Sequence, residues 1–287
     1  MARAPAPRLL ATSDLHVNVA ANRALVDELR PEHPEDWLLV AGDVTDRIGD
    51  FETILATLAA RFAKVVWAPG NHDLWTRGDD DEPLRGEARY RRLVEACRRH
   101  SVVTPEDPYP IWDAGEEQLV VVPLLVLYDY SFRPPGTSKE EALAQAYAAG
   151  VVCTDELLLQ PDPHESREAW CRERLATTLE RLAELPPLPT VFLSHYPLRS
   201  EPLARLRAPE FTLWCGTTAT EDWHLRFRAR AVVYGHLHIP VTSWHDGVRF
   251  EEVSVGYPRE WRRRFGGPPP LVRDVLAALE PAAAAAS

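Results

Sequence analysis

Seven side chains with nitrogen or oxygen donors follow short apolar segments of this sequence. Imidazole, carboxylate and amide donors without thiolates suit transition metals such as Zn, Mn, Fe, Co or Ni, whereas a Ca site takes oxygen ligands only. Seven donors are too many for one tetrahedral site and therefore suit two metal ions that share one carboxylate. These candidate ligands are Asp14, His16, Asp43, Asn71, His195, His236 and His238.

The spacing within two of the motifs has a local reason. Asp14 and His16 are two residues apart, and so are His236 and His238. In an extended segment that leaves a strand, residues two apart point to the same side. We therefore expect both members of each pair to reach one cluster.

The elements before these motifs predict a βαβαβ start. Apolar strands are expected at 8–12, 37–41 and 64–67, with amphipathic helices at 20–29 and 51–62 between them. Two later strands, at 190–193 and 231–234, end in histidines, and a hairpin is expected over 241–255. Ligands of open α/β sheets lie beyond the carboxyl ends of the strands, so all five strand ends should converge.

We expect a single domain over residues 1–265. Residues 77–189 are less regular and should contain a helical and loop insertion on the substrate side. No linker composition isolates this range as a second domain. Residues 266–287 are expected to form a partly disordered C-terminal tail.

Composition limits the possible partners and compartment. The 287 residues carry a net charge of −11, which argues against a nucleic-acid or anionic-membrane partner. No apolar run approaches the roughly 20 residues that span a bilayer, and no signal peptide is recognisable. The four cysteines are scattered, which predicts reduced thiols and a cytoplasmic location. Oligomeric state is left open.

The five motifs, in this order, resemble the calcineurin-like metallophosphoesterase family over about residues 8–255. The resemblance implies an α/β fold, a four-layer α/β/β/α sandwich, with a centre of two transition-metal ions (Mn, Fe or Zn). It also implies that Asp43 bridges the metals. The remaining ligands would divide into Asp14, His16 and His238 on one metal and Asn71, His195 and His236 on the other.

Departures from one branch of that family are informative. Its serine/threonine protein phosphatases read G-D-x-V-D-R-G and G-N-H-E, whereas this chain reads Gly-Asp-Val-Thr-Asp-Arg-Ile and Gly-Asn-His-Asp. The difference favours the small phosphodiesterases and phosphomonoesterases. We therefore expect hydrolysis of a phosphate monoester or diester of a small molecule.

The expected nucleophile is a hydroxide activated between the two metal ions. His72 lies outside the ligand set and is expected to protonate the leaving oxygen as a general acid. Asp73 could hold the His72 tautomer or form a salt bridge with the turn. His72 and Asp73 are thus the candidate catalytic residues.

Two other functions are weighed against hydrolysis of a small molecule. A metal-binding scaffold or regulatory protein would keep the fold without catalysis, but the complete ligand set with His72 argues against it. A nuclease is disfavoured by the net charge and by the absence of a long basic stripe.

Aromatic and basic residues near the motifs are candidates for contact with substrate. These are Trp75, Tyr128, Tyr130 and Arg133, with core packing as the alternative for the aromatic rings. Arg262, Arg263 and Arg264 could grip an anionic substrate or a nucleic acid. A solvated or internally salt-bridged segment is the favoured interpretation of these three arginines.

Overall fold

Short, continuous apolar segments build most strands of the two sheets in this protein. The computed structural model describes residues 6–80, 82–113, 115 and 117–277. The strands within these residues are β1 (Leu9–Thr12), β2 (Trp37–Val40), β3 (Lys64–Trp67), β4 (Ile111–Asp113), β5 (Gln118–Pro123), β6 (Thr190–Leu193), β7 (Ala229–Tyr234), β8 (Val241–His245), β9 (Val248–Glu252) and β10 (Arg273–Asp274).

The first sheet has the order β10-β1-β2-β3, and β1, β2 and β3 are parallel. The second sheet has the order β4-β5-β6-β7-β9-β8, with β5, β6, β7 and β9 parallel. The expected strands at 8–12, 37–41, 64–67, 190–193 and 231–234 all form, within one or two residues at each end. The predicted hairpin is β8 and β9, joined at Asp246 and Gly247.

Helices flank the sheets. They are α1 (Ala20–Glu28), α2 (Ile48–Ala59), α3 (Asn71–Leu74), α4 (Gly86–Arg99), α5 (Lys139–Ala148), α6 (Asp155–Leu158), α7 (Arg167–Ala183), α8 (Trp223–Arg226) and α9 (Pro258–Phe265). Within the described residues, no helix is long and apolar enough to cross a membrane.

Strand alternation divides the core into two apolar clusters. Leu9 and Ala11 of β1 face Val191 and Leu193 of β6 in the cluster between the sheets. Leu10, which points the other way, belongs to the cluster that the helices cover. Two sheets packed face to face with helices outside them form the expected α/β/β/α sandwich.

The range 77–189 packs on this same core. It contains β4 and β5, so only part of it is additional to the sheets. Trp170 and Cys171 of α7 are fully buried and belong to the helix-covered cluster. The Trp170 indole nitrogen donates to Glu87 on α4 at 3.1 Å, which ties the two helices together.

Some expected boundaries differ from the structure, and the helix expected at 51–62 is α2, which runs from Ile48 to Ala59. The apolar run 119–127 predicts one strand, but β5 ends at Pro123. Residues beyond 265 were expected to form a tail, but β10 pairs antiparallel with β1, and Val275 is fully buried. Residues 278–287, on which the expectation of disorder also falls, lie outside the described residues.

Replacing Trp170 tests whether the chain unfolds as one unit. We expect Trp170→Ala to lower the free energy of unfolding by about 3–5 kcal/mol, because it empties a buried site shared by α7 and the core. Calorimetry should show a single transition at lower temperature, and the exposed Arg172→Ala on the same helix should leave it unchanged. Two transitions, only one of them shifted, would show that 77–189 folds as a separate domain.

Candidate metal centre

The turns after five strands meet at one edge of the two sheets. The backbone N–H of Asp14 donates to the Gly42 carbonyl, and that of His16 donates to the Asp43 carbonyl, both at 3.0 Å. The Asp14 carboxylate in turn accepts from the backbone N–H of His236 at 3.0 Å. Side chains from distant parts of the chain are thus held together by backbone hydrogen bonds.

Asp14, His16 and His238 form the first half of the cluster. His238 Nε2 lies 3.0 Å from Asp14 Oδ1 and 3.3 Å from His16 Nε2. His238 Nδ1 lies 2.7 Å from Glu260 Oε2, which fixes the ring and leaves Nε2 facing Asp14. The three residues bring one donor atom each within 4.8 Å of one another.

The pKa shifts of His16 and His238 indicate that the carboxylates in this half of the cluster favour a nearby positive charge. Burial and the neighbouring His238 together lower the pKa of His16 to about 3, so this imidazole is neutral. Burial also acts to lower the pKa of His238, but Asp14 and Glu260 raise it well above the ordinary value. Protonated His238 therefore supplies the positive charge that balances the carboxylates of Asp14 and Glu260. A bound metal ion would supply this charge instead, and the imidazoles of His16 and His238 would then both be neutral.

His195 and Asn71 form the second half with lone pairs that face each other. His195 Nδ1 lies 2.8 Å from the Ala41 carbonyl, so Nδ1 carries the proton. Burial lowers the pKa of His195, and its neutral ring keeps a lone pair on Nε2. This atom lies 2.9 Å from Asn71 Oδ1, because the Asn71 amide nitrogen is engaged by Asp155 at 2.9 Å. Two acceptor atoms at this distance repel unless they share a cation.

His236 completes this half. Its Nδ1 lies 3.2 Å from His195 Nε2, whereas its Nε2 is buried without a partner among the described residues. Burial lowers its pKa well below the ordinary value. Neutral imidazoles beside an amide oxygen are a donor set that Zn, Mn or Fe can bind.

Asp43 lies between the two halves. Its Oδ2 is 3.6 Å from His195 Nε2 and 4.0 Å from His16 Nε2. Burial and the nearby charges of Asp14 and Asp73 raise the pKa of Asp43 well above the ordinary value. The raised pKa means that the surroundings disfavour a charged Asp43 carboxylate. Two cations that shared the carboxylate would stabilise its charge.

The candidate ligands sit on backbone that most residues avoid. Of the nine non-glycine residues with positive φ in the described chain, five are candidate ligands, namely Asp14, His16, Asp43, His236 and His238. Such conformations cost of order 1–3 kcal/mol each and persist only where the surrounding structure enforces them. Their concentration at one cluster marks it as a functional site.

Glycines allow the turns to approach the carboxylates closely. A Cβ at Gly70 would collide with the Asp43 carboxylate, and a Cβ at Gly235 would collide with Ser13 and Asp14. Both glycines therefore leave room for the carboxylates that the cluster needs.

His72 lies at the open side of the cluster. Its Nε2 is 3.8 Å from Asp43 Oδ2, and its side chain is 15% exposed, compared with 1% for His16. Its ring stacks on Trp75, with centroids 3.5 Å apart. Burial and the neighbouring His16 lower its pKa well below the ordinary value. His72 also forms a possible metal-binding group with His16 and Asp43.

The contacts of Asp73 do not support the expectation that it is catalytic. Its carboxylate accepts hydrogen bonds from the Trp67 indole and from four backbone N–H groups in the turns after β2 and β3. No contact joins it to the His72 imidazole. Asp73 instead holds together the two turns that carry Asp43 and Asn71.

Three of the four residues that we expected to contact the substrate make contacts within the protein. Tyr128 and Tyr130 are fully buried, and the Tyr130 hydroxyl donates to Glu156 at 2.7 Å. Arg133 donates to the carbonyls of Thr137 and Tyr130. Both tyrosines thus pack in the core, which is the alternative that the sequence left open for them. Trp75 alone touches a candidate catalytic residue, through the stack on His72.

Three partners of the cluster were missed by sequence reasoning. Asp155 orients the Asn71 amide and also accepts from the Trp75 indole at 2.6 Å. Glu260 holds the His238 ring, and the Ser254 hydroxyl donates to Asp14 at 2.7 Å. No sequence signal pointed to these residues, because none of them belongs to a motif.

Comparisons with known proteins agree with this geometry. A family described as calcineurin-like phosphoesterase matches residues 7–240. A curated relative, [acyl-carrier-protein] phosphodiesterase PptH of Mycobacterium tuberculosis, is 53% identical over 260 residues, which cover 90% of this chain and 80% of the relative. The crystal structure of phosphopantetheinyl hydrolase (PptH) from the same organism matches with a TM-score of 0.91 and 51% identity. That match covers 95% of this chain and 97% of the solved one.

The family match covers most of the chain, and the high identity to PptH extends over nearly all of it. The fold, the ordered motifs and these similarities lead to the same assignment. The chain belongs to the calcineurin-like phosphoesterase family and is a phosphoester hydrolase.

Proposed function

We propose that this enzyme hydrolyses the phosphodiester that joins phosphopantetheine to an acyl carrier protein. The similarity to PptH, which is named for this substrate and is 53% identical, carries the proposal. It replaces the free small molecule expected from sequence with a protein-bound phosphoester. The buried, free cysteines are compatible with the cytoplasmic location predicted from sequence, which remains a prediction.

The cluster supports a two-metal ligand set. Asp14, His16 and His238 would hold one ion, and Asp43 would be shared. Asn71, His195 and His236 would hold the other. Metal ions held there would activate water and neutralise charge on the phosphoryl oxygens. Zn, Mn and Fe all accept these donors.

Hydrolysis adds the water oxygen to phosphorus and breaks the P–O bond to the carrier protein. The oxygen that leaves needs a proton, and His72 Nε2 is placed at the open side of the cluster to give it. Burial lowers the pKa of His72 in the free protein. An anionic phosphodiester beside the imidazole favours its protonated form. Trp75 holds the ring by stacking on it.

The general-acid role predicts a dependence on the leaving group. We expect His72→Ala to keep both metals and to lower kcat about 10²–10⁴-fold for diesters with alkyl leaving groups. Bis-p-nitrophenyl phosphate should be affected much less, because an aryloxide leaves without a proton. Steady-state kinetics and metal analysis of the purified variant would test this. An equal loss for both substrates would contradict the acid role, and loss of a metal would make His72 a ligand.

The shared carboxylate predicts that both metals respond to one substitution. We expect Asp43→Asn to weaken both sites together, by at least about tenfold in affinity, because the bridge loses its charge. Asp46→Asn is a matched control, since Asp46 is buried nearby and pairs with Arg77 instead. Two tightly held ions in Asp43→Asn, measured by elemental analysis, would rule out the bridge.

The substrate assignment is tested with phosphopantetheinylated acyl carrier protein. We expect the metal-loaded enzyme to release phosphopantetheine and leave the unmodified carrier protein, both detectable by mass spectrometry. Chelation of the metals should stop the release, and added Mn²⁺ should restore it. Turnover of bis-p-nitrophenyl phosphate without any release from the carrier protein would keep the phosphodiesterase activity but reject this substrate.

A further inference from the structure

A cavity of about 570 Å³ opens beside the metal cluster. Arg205 and Arg207 line it on one side, and Arg263 and Arg264 of α9 line it on another. His238, a candidate metal ligand, also lines it, so the cavity leads to the cluster. We call the surface formed by these four arginines the arginine groove.

The four arginines of the groove form no salt bridge within the part of the chain that the structure describes. Among the described residues, no carboxylate oxygen lies within 4.0 Å of their guanidinium nitrogens, whereas elsewhere Arg92, for example, pairs with two glutamates. The nearby Glu260 is occupied by His238 Nδ1 and by the Tyr257 backbone N–H. Arg264 donates only to the His238 carbonyl, at 2.6 Å.

This result selects between the two alternatives that the favoured sequence interpretation left open. Arg262, Arg263 and Arg264 are exposed, which agrees with the prediction of a solvated segment. Internal salt bridges of these three arginines, which were the other alternative, do not form within the described residues. The free charges remain directed to solvent, at the mouth of the site.

The arginine groove is rich in positive charge, whereas the chain as a whole is negatively charged. The chain as a whole carries −11, so most of its surface repels an acidic partner. Four unpaired guanidinium groups in one groove repel each other and gain free energy when carboxylates approach. Such complementarity orients a charged partner and speeds its association.

Apolar residues also line the groove, together with His238 and Glu260. The apolar lining residues are Leu206, Leu237 and Ile239, and Phe265 on α9 is 42% exposed. Arginine beside apolar and aromatic side chains is the composition that protein–protein interfaces favour. A free phosphate ion would use neither the apolar lining nor the full width of the groove.

We propose that the arginine groove docks an acidic surface of the carrier protein whose phosphodiester enters the metal cluster. The inference rests on the proposed function, because it takes its partner from there. Docking at the groove places the substrate beside His238. Recognition of the carrier protein is then separate from the chemistry, which the buried cluster performs.

Charge reversal on each side of the groove tests the proposal. We expect Arg207→Glu and Arg263→Glu to raise KM for phosphopantetheinylated carrier protein at least about tenfold, with a much smaller change in kcat. The change for bis-p-nitrophenyl phosphate should be several-fold smaller, since this diester is too small to span the groove. Arg172→Glu on α7 is the control, because Arg172 is equally exposed and unpaired among the described residues but lies outside the groove.

Direct binding separates this inference from the proposed function. Binding of phosphopantetheinylated carrier protein to immobilised, metal-loaded enzyme should weaken at least about tenfold in each groove variant and should fall with added NaCl in the wild type. Melting curves and metal content establish that the variants are folded and loaded.

The possible outcomes decide between the two ideas. Equal binding and KM in wild type and groove variants would overturn the docking surface while carrier-protein hydrolysis stands. Groove-dependent binding without release of phosphopantetheine would support the docking surface and reject the proposed reaction. A wild type that neither binds nor cleaves the carrier protein would reject both. Loss of single-stranded DNA binding or of inhibition by inorganic phosphate, with carrier binding intact, would assign the groove to those anions instead.

Discussion

The crowding of carboxylate, amide and imidazole donors into one buried cluster is the constraint on which the rest of the structure depends. His195 and Asn71 present acceptor atoms to each other at 2.9 Å, and Asp43 lies within 4.0 Å of several imidazoles. Without metal ions, protons must compensate, which is why the pKa values of Asp43 and His238 rise. Bound metal ions would therefore stabilise an arrangement that is unfavourable for the folded protein alone.

The sheets and the turns at their edge hold the side chains in this unfavourable arrangement. Five candidate ligands adopt positive φ, and glycines leave room for the carboxylates. The buried Asp73 carboxylate ties two turns together through backbone N–H groups. Asp73 is important for the site through these contacts, because the position of Asp43 depends on it.

Helix α9 connects the chemistry with the outer surface. Glu260 on this helix holds His238, while Arg263 and Arg264, one turn further on, line the groove. The ring of Tyr257, just before the helix, stacks on His16, with centroids 4.4 Å apart. A single element thus orients two candidate ligands and presents the charges that we assign to docking.

The sequence alone determined the strand ends and the residue types that meet there, because short apolar runs and the D-x-H and H-x-H spacings are local properties. Tertiary structure alone decided which other side chains reach the cluster: Asp155, Ser254 and Glu260 arrive from unrelated segments, Ser254 lying 240 residues from Asp14. It also brought Tyr128, Tyr130 and Arg133 into internal contacts and, among the described residues, left Arg263 and Arg264 of α9 without a salt bridge. The physical reason is that burial and side-chain direction depend on packing between distant parts of the chain, which no local pattern records.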